Sequence, residues 1–561
     1  LYSDVDLMLL HPGRVPPGSE RVFYPLWDAG LKVGHAVRSV REAVQAAREN
    51  LETLTALLDA RLVAGDRDLF GGLRHALGEL LHRGRIHLSE RLAGLERERR
   101  LREPYPLQEL NVKEGRGGLR ALHGLHWEAH AEELVGRGRR GNVDLPPTVH
   151  ETLLATRNAL HAVSDKPFDV YVHDLHHGVA EWLGVDQDAW SRRLYQHAHT
   201  IDRAVTEHWE ETQAPAQPQP RRWPGITWLG RRSQRGSREP AESPGAEDGG
   251  QPARENTPPP FYRGSVLTLA ARAAHRTGSP FDADQSAIIR AAMGPMWTAD
   301  DREGFLSLLR AGDRGREVFD ALDALGWAER ALPEWRNVRG LPHYAPFHLH
   351  PVDVHLWRTV AETLAIARRD SPEPPLAGVA AELDSLDDAL LAALLHDVGK
   401  GWPGDHSTVG ARVAQAFCRR AQFGPRTTAT VTRAIEHHLL LPTIATRRDL
   451  DDPTVIRDTA DAIGDRRTLR VLYLLSVADS RATGPAVWSP WKGSLLRALY
   501  DRTDDELRRR ERAVQPPRPE FDITPLVEAV RSVASDGVVR QHLAAMPAGY
   551  SDAWTLDELA Q

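Results

Sequence analysis

The chain has 561 residues, with 71 basic against 78 acidic side chains and a formal net charge of −7, a balance that argues against a dedicated nucleic-acid binder. Cys418 is the only cysteine, which excludes a disulfide framework and a cysteine-based zinc site. Its longest apolar runs, such as Ala389–Leu395, fall far short of a membrane span.

At this length one hydrophobic core does not suffice, so three or more structural units are expected. No N-terminal signal region is visible and the default expectation is a cytoplasmic protein. Residue 1 is Leu, so the chain is expected to begin inside a longer protein. Only five lysines (Lys32, Lys113, Lys166, Lys400 and Lys492) stand beside 66 arginines, which singles out the places where a compact ammonium is kept. The 26 histidines outnumber tyrosine and phenylalanine together and invite a search for a metal site.

In chain order, Val5–Leu10 reads as a strand, and Tyr2-Ser3-Asp4-Val5-Asp6 sets two carboxylates at its start. The period of two aims Asp4 and Asp6 at one face, where they can hold Mg²⁺ and a nucleoside triphosphate. Two solvated acids on a surface strand are the plainer reading. Leu31–Val40 gives a second, weaker strand signal, while Ala36–Asp59 and Leu69–Arg100 have helical periodicity. Asn111–Arg120 is a polar, glycine-rich loop with Lys113, Arg116 and Arg120. It suits phosphate contacts through backbone N–H groups and cations, or equally a structural turn between helices. Between 214 and 260, 10 prolines and 6 glycines rule out helix or strand interiors and predict a linker or insertion.

Further on, Leu386, Leu390, Leu394 and Val398 form one apolar helical stripe, and Gly399 is the expected stop. The stripe runs into His396-Asp397-Val398-Gly399-Lys400. An isolated His-Asp pair is more often a cap or an ion pair, but its neighbours extend the pattern. His355 lies on an earlier predicted helix (Val352–Arg368), His406 follows, His437-His438 lies on another helical segment, and Asp479 ends the apolar run Leu469–Ala478. Buried charges need partners, and a metal ion satisfies imidazoles and carboxylates at once.

The order His, His-Asp, His, His-His, Asp resembles the HD metal-dependent phosphohydrolase superfamily, including its two-metal members. The resemblance implies Asp397 as a bridging ligand, with His355, His396 and Asp479 on one metal, and His406, His437 and His438 on the other. Lys400 is the candidate to hold a substrate phosphate, or else a charge complementing the helix end. Imidazoles with carboxylates suit Mg²⁺, Mn²⁺, Fe²⁺ or Zn²⁺ without choosing among them.

Asp4–Leu10, Leu26–Arg38, Leu58–Asp66 and Asn111–Arg120, taken in that order, resemble the bifunctional PII uridylyltransferase/uridylyl-removing enzyme family. So do Arg157–His161, Leu332–Trp335, His437–Pro453, Val477–Pro485 and Trp488–Leu496. The resemblance implies a mainly α fold. It comprises a truncated polymerase-β-like α/β nucleotidyltransferase piece (1–75), a helical domain associated with it (76–213), the linker (214–260), a helical connector (261–342), an all-helical HD phosphohydrolase domain (343–505) and a segment (506–561) leading towards ACT domains absent from the sequence. In the transferase piece Asp59 matches the place of a third carboxylate beside Asp4 and Asp6, and Lys113 and Arg116 are the nucleotide-binding candidates.

The family's glycine-rich triphosphate segment is missing ahead of Asp4, so transfer by this chain on its own is not expected. The implied function is metal-dependent removal of a uridylyl or adenylyl group from a tyrosine of the PII signal protein. The opposing transfer from UTP or ATP belongs to the intact protein, with glutamine as effector through the ACT domains. No nucleic-acid or membrane partner is expected. The competing readings are an HD hydrolase of a free nucleotide such as a guanosine alarmone, where the hydrolase would come first, and a regulatory PII-binding protein with an inactive transferase domain.

Overall fold

The computed structural model describes residues 2, 4–15, 17–136, 145–213, 265–345, 347–368, 374–514 and 524–545. The proline- and glycine-rich stretch 214–260 lies outside these residues, as do 546–561. The fold is mainly α-helical, with strands confined to two small two-stranded sheets among the described residues.

The first sheet pairs Val5–His11 in parallel with Val33–Ser39, with Asp6 opposite Gly34. A helix from Ala36 does not form, because Ser39 closes the strand and opens the next helix at once. Its side chain accepts from the Glu42 amide while Glu42 bonds back to the Ser39 amide, a reciprocal capping box for Val40–Glu49. Arg67–Arg102 is one long helix capped by Asp66, and it packs on Leu119–Leu134. With Pro147–Ser164 and Gln187–Gln213 these helices enclose one core around Leu73, Leu77, Leu81, Leu153, Leu194 and Ile201. Met8 and Leu10 of the first strand pack against that core, so it runs continuously through residue 75.

A second core begins at Val266 and includes Leu308, Val318 and Leu322 before reaching the helices between 343 and 505, so it also crosses residue 342. Its centre is the helix Asp387–Leu395, in which every residue from Asp388 to Leu395 is buried. Val352–Ala367, Pro425–Glu436 and Arg466–Thr483 pack around it. A helix buried on all sides must satisfy its charges internally, and Asp388 does so with Arg467 at 2.6 Å. Pro490–Val514 lies against Arg466–Thr483 and carries Leu507 into the same core, beyond residue 505. Thr524–Ala529 and Asp536–Ala545 form a separate small cluster through Leu526, Val530 and Val539.

The helix stop after Leu395 has a different cause from the one expected. Gly399 is not in the left-handed region. It lies inside the short 3₁₀ turn Val398–Gly401, where an added Cβ would sit 2.1 Å from the His406 carbonyl oxygen and 2.5 Å from the Gly410 nitrogen. Close approach of the turn to the helix His406–Arg420, not backbone handedness, requires glycine here.

Candidate metal centre

The helix Asp387–Leu395 delivers His396 at its C-terminal cap and Asp397 just beyond it, both fully buried. Val352–Ala367 supplies His355, the N-terminus of His406–Arg420 supplies His406, and the end of Pro425–Glu436 leads into His438. Asp479 projects from Arg466–Thr483. Among the described residues, three ligand groups are compact enough for a metal ion: His355–His396–Asp397, Asp397–His406–His438 and His343–His348–Asp397. Asp397 belongs to all of them.

Its two oxygens divide the work. Asp397 Oδ2 lies 3.8 Å from His355 Nε2 and 3.5 Å from His396 Nε2, which are themselves 3.2 Å apart. Asp479 Oδ1 faces the same pair at 3.1 and 3.6 Å. On the other side, Asp397 Oδ1 lies 3.8 Å from His406 Nε2 and 3.7 Å from His438 Nε2. His396 Nδ1 is 2.9 Å from the Ala393 carbonyl and His438 Nδ1 is 2.8 Å from that of Ile435. Each Nδ1 therefore carries a proton, and Nε2 is the nitrogen turned towards the carboxylates. Imidazole nitrogens set this close to carboxylate oxygens need a cation between them, a proton or a metal ion. Asp397 Oδ1 is moreover buried without a hydrogen-bond partner, and this donor set fits a divalent ion.

The electrostatics agree. Burial would raise the pKa of Asp397, but Lys400 and the surrounding histidines outweigh it and hold the carboxyl well below its ordinary value. Asp479 is likewise held down, against burial, by hydrogen bonds from His355 and His396. Burial pulls His438 down to about 4 against the attraction of Asp397, leaving a neutral imidazole at pH 7. Burial lowers His396 too, but Asp397 and Asp479 reverse the sign and raise it.

The third group already has its cation. Lys400 Nζ donates to Asp397 Oδ2 at 2.6 Å and to His343 Nδ1 at 3.1 Å. The His343 and His348 rings stack with centroids 3.7 Å apart. Neither histidine was picked out from the sequence. The available signal was density: four histidines fall between 343 and 355, in Leu341-Pro342-His343 through His355.

Of the residues singled out in the sequence, His355, His396, Asp397, Lys400, His406, His438 and Asp479 come together here. His437 does not join the compact groups; it caps the helix Pro425–Glu436 and stays half-buried while its neighbour His438 turns inward. Arg116 also departs from expectation. Its guanidinium is buried against Asp202 at 2.7 Å and bonds the Glu103 carbonyl, so it braces the domain interior. Lys113 is part-exposed, 3.8 Å from Glu114.

At the front sheet Asp4 and Asp6 are exposed, and Asp4 pairs with Lys32 at 2.9 Å. The Asp6 carboxylate lies over Gly34, where a Cβ would meet it at 2.3 Å. Asp59 is bound elsewhere, accepting from the Trp127 indole at 2.7 Å and lying 3.2 Å from His130 Nδ1. Among the described residues no hydrogen bond or ion pair joins Asp59 to Asp4 or Asp6.

Residues 352–483 match the HD domain family, and residues 87–209 match the GlnD PII-uridylyltransferase family. A bifunctional uridylyltransferase/uridylyl-removing enzyme of Streptomyces coelicolor is 36% identical over 522 residues, covering 90% of this chain and 60% of that protein. Proteins of the same description from Mycobacterium tuberculosis and Gluconobacter oxydans are 33% and 34% identical, over 89% and 90% of this chain and 61% and 57% of theirs. The chain thus spans about 60% of the length of the curated relatives it matches. Among the described residues no helix is long and apolar enough to cross a membrane.

Proposed function

We propose that this chain, similar over about 90% of its length to bifunctional uridylyltransferase/uridylyl-removing enzymes, works as one of that family and that its HD centre performs the removing half. The substrate is a nucleotidyl group, uridylyl or adenylyl, esterified to a tyrosine of the PII signal protein. The observation that carries this reading is one buried carboxylate shared by two histidine groups, with an oxygen left without a hydrogen bond.

His355, His396, Asp397 and Asp479 would hold one divalent ion, Mn²⁺ or Mg²⁺ and alternatively Fe²⁺ or Zn²⁺, and Asp397, His406 and His438 a second. Such ions, when bound, supply Lewis acidity and a more acidic water. The chain's own residues prepare the rest. The Ala393 and Ile435 carbonyls hold a proton on Nδ1 of His396 and His438, which leaves Nε2 as the nitrogen that would meet a ligand. Lys400 keeps its ammonium at the edge of the centre, where it offsets the two carboxylates and can meet a phosphoryl oxygen. Hydrolysis forms a bond from water oxygen to phosphorus and breaks the bond to the tyrosyl oxygen. That oxygen leaves with a proton, and a nucleoside monophosphate is released.

Asp4 and Asp6 are assigned to NTP-dependent transfer in the intact protein, with UTP or ATP as donor, and Asp59 and Lys113 as further candidates. Glutamine would act through ACT domains. A cytoplasmic location fits these partners.

The test is to offer the purified chain with Mn²⁺ both nucleotidylated PII and free nucleotides, including a guanosine alarmone. Release from PII alone is expected. Cleavage of free nucleotide alone would reassign the substrate. No release from either, unchanged in His396→Ala/Asp397→Ala, would leave a PII-binding role only.

A further inference from the structure

The loop 341–350, which brings His343 and His348 to the metal centre, is held on the HD side by the Leu349 N–H donating to the Thr483 carbonyl at 3.1 Å and the Val352 N–H donating to the Leu341 carbonyl at 2.9 Å, but more of its bonds come from the N-terminal helical unit. Gln108, 3% exposed, is the main holder. Its side-chain amide brackets one residue. The His343 N–H donates to Gln108 Oε1 at 2.6 Å, and Gln108 Nε2 donates to the His343 carbonyl at 2.8 Å. The Gln108 backbone N–H donates to the Leu349 carbonyl at 2.7 Å, and the Tyr195 hydroxyl fixes Gln108 by donating to its carbonyl at 2.7 Å. His350 Nδ1 meets the Pro106 carbonyl at 2.7 Å. A side-chain amide that pairs with both polar groups of one peptide residue fixes position and rotation together.

What is fixed matters for the centre. His343 Nδ1 accepts a hydrogen bond from Lys400, and Lys400 donates to the shared Asp397 carboxylate. A chain of contacts therefore runs from Gln108 through His343 and Lys400 to Asp397. Resting on the hydrolase reading above, we propose that Gln108 is a positioning residue of the metal centre: by bracketing the His343 backbone it sets the imidazole that orients Lys400, so the N-terminal helical unit completes the hydrolase site. The same segment leads directly into the glycine-rich loop at 111–118. The part of the molecule assigned to transfer and the part assigned to removal thus share one mechanical support.

The experiment uses the full chain with Mn²⁺ and nucleotidylated PII. Gln108→Ala is expected to lower kcat about tenfold, as loss of an outer support does, with KM essentially unchanged. Gln108→Glu keeps the volume and the acceptor for the His343 N–H but loses the donor to its carbonyl. It is expected to fall between parent and Gln108→Ala, which keeps the test informative if the alanine variant folds badly. Arg192→Ala cuts another bond between the same two units, Arg192 to the Asn337 carbonyl at 2.9 Å, and should leave kcat at the parent value.

Gln108→Ala added to His343→Ala should cost no more than His343→Ala alone, because the support has lost what it supports. In the metal-free chain, hydrogen exchange across 341–350 should quicken about tenfold in Gln108→Ala and stay unchanged in Arg192→Ala. Parent-like kcat and exchange in Gln108→Ala, an equal loss in Arg192→Ala, or losses that multiply in the double variant would each overturn the proposal. A parent chain that releases no nucleotide, or releases it equally in chelator, would overturn the hydrolase reading itself, and this inference with it.

Discussion

Replacing Asp397 by Asn removes the charge that faces both histidine groups, whereas replacing His406 by Ala removes a ligand from only one. Metal-dependent hydrolysis should therefore fall further in Asp397→Asn than in His406→Ala, and by more than the roughly 10–100-fold typical of outer contacts. Steady-state rates at saturating Mn²⁺ check this order. Asp388 is buried and paired with Arg467, so Arg467→Met leaves an uncompensated carboxylate and should cost about 3 kcal/mol in urea unfolding.

At this scale the sequence was most legible where several ligand types had to recur in order, as at His355, His396-Asp397, His406, His438 and Asp479. It was least legible where direction decides. Adjacent His437 and His438 are equal as letters, and only the end of the helix Pro425–Glu436 turns one inward and leaves the other half-buried. Arg116 looked like a phosphate contact because the loop is glycine-rich, but Asp202, 86 residues further on, takes its guanidinium. His343 and His348 act from a loop without periodicity, and nothing local announces that they stack beside Lys400.

Elements place these residues, and their ends were readable to different degrees. The helix Arg466–Thr483, which carries Asp479, starts at Asp465, whose side chain accepts from the Thr468 amide at 3.0 Å. Asp465→Ala should cost about 1 kcal/mol of thermal stability through the lost cap. Gly399→Ala should be more damaging to hydrolysis than its size suggests, because the turn carrying Lys400 would have to move off the His406 carbonyl. The front strand and its neighbour were visible from their apolar runs, but the strand-to-helix change at Ser39 depended on a capping box that periodicity alone does not show.

The pH dependence also belongs to elements. Asp202, on the helix Gln187–Gln213, is raised by burial but lowered more by Arg116, to about 2. A carboxyl depressed on folding stabilises the native state above its unfolded pKa near 4, and that contribution fades as pH falls towards 2. Thermal melts between about pH 5 and pH 2 should show this loss, and Asp202→Asn should flatten it.

On the scale of the whole molecule, one core gathers residues from Ala43 to Trp209 and another those from Val266 to Leu507, and the metal centre lies in the second, close to where the two units meet. Length and composition already required more than one core. That the first unit reaches into the centre through Gln108 depends on a contact across 235 positions, which no local pattern encodes. Because the ligands come from helices distant in sequence, an ion that binds the folded chain and not the unfolded one should raise its stability, by about 2.7 kcal/mol at 100 times Kd. If a single carboxylate joins two metal groups, removing it should release both ions at once, and a count of bound metal decides the matter. After dialysis against Mn²⁺, the parent chain should carry two ions, and Asp397→Ala should lose both together. A parent chain without bound metal, or an Asp397→Ala variant that keeps its full complement, would contradict that sharing.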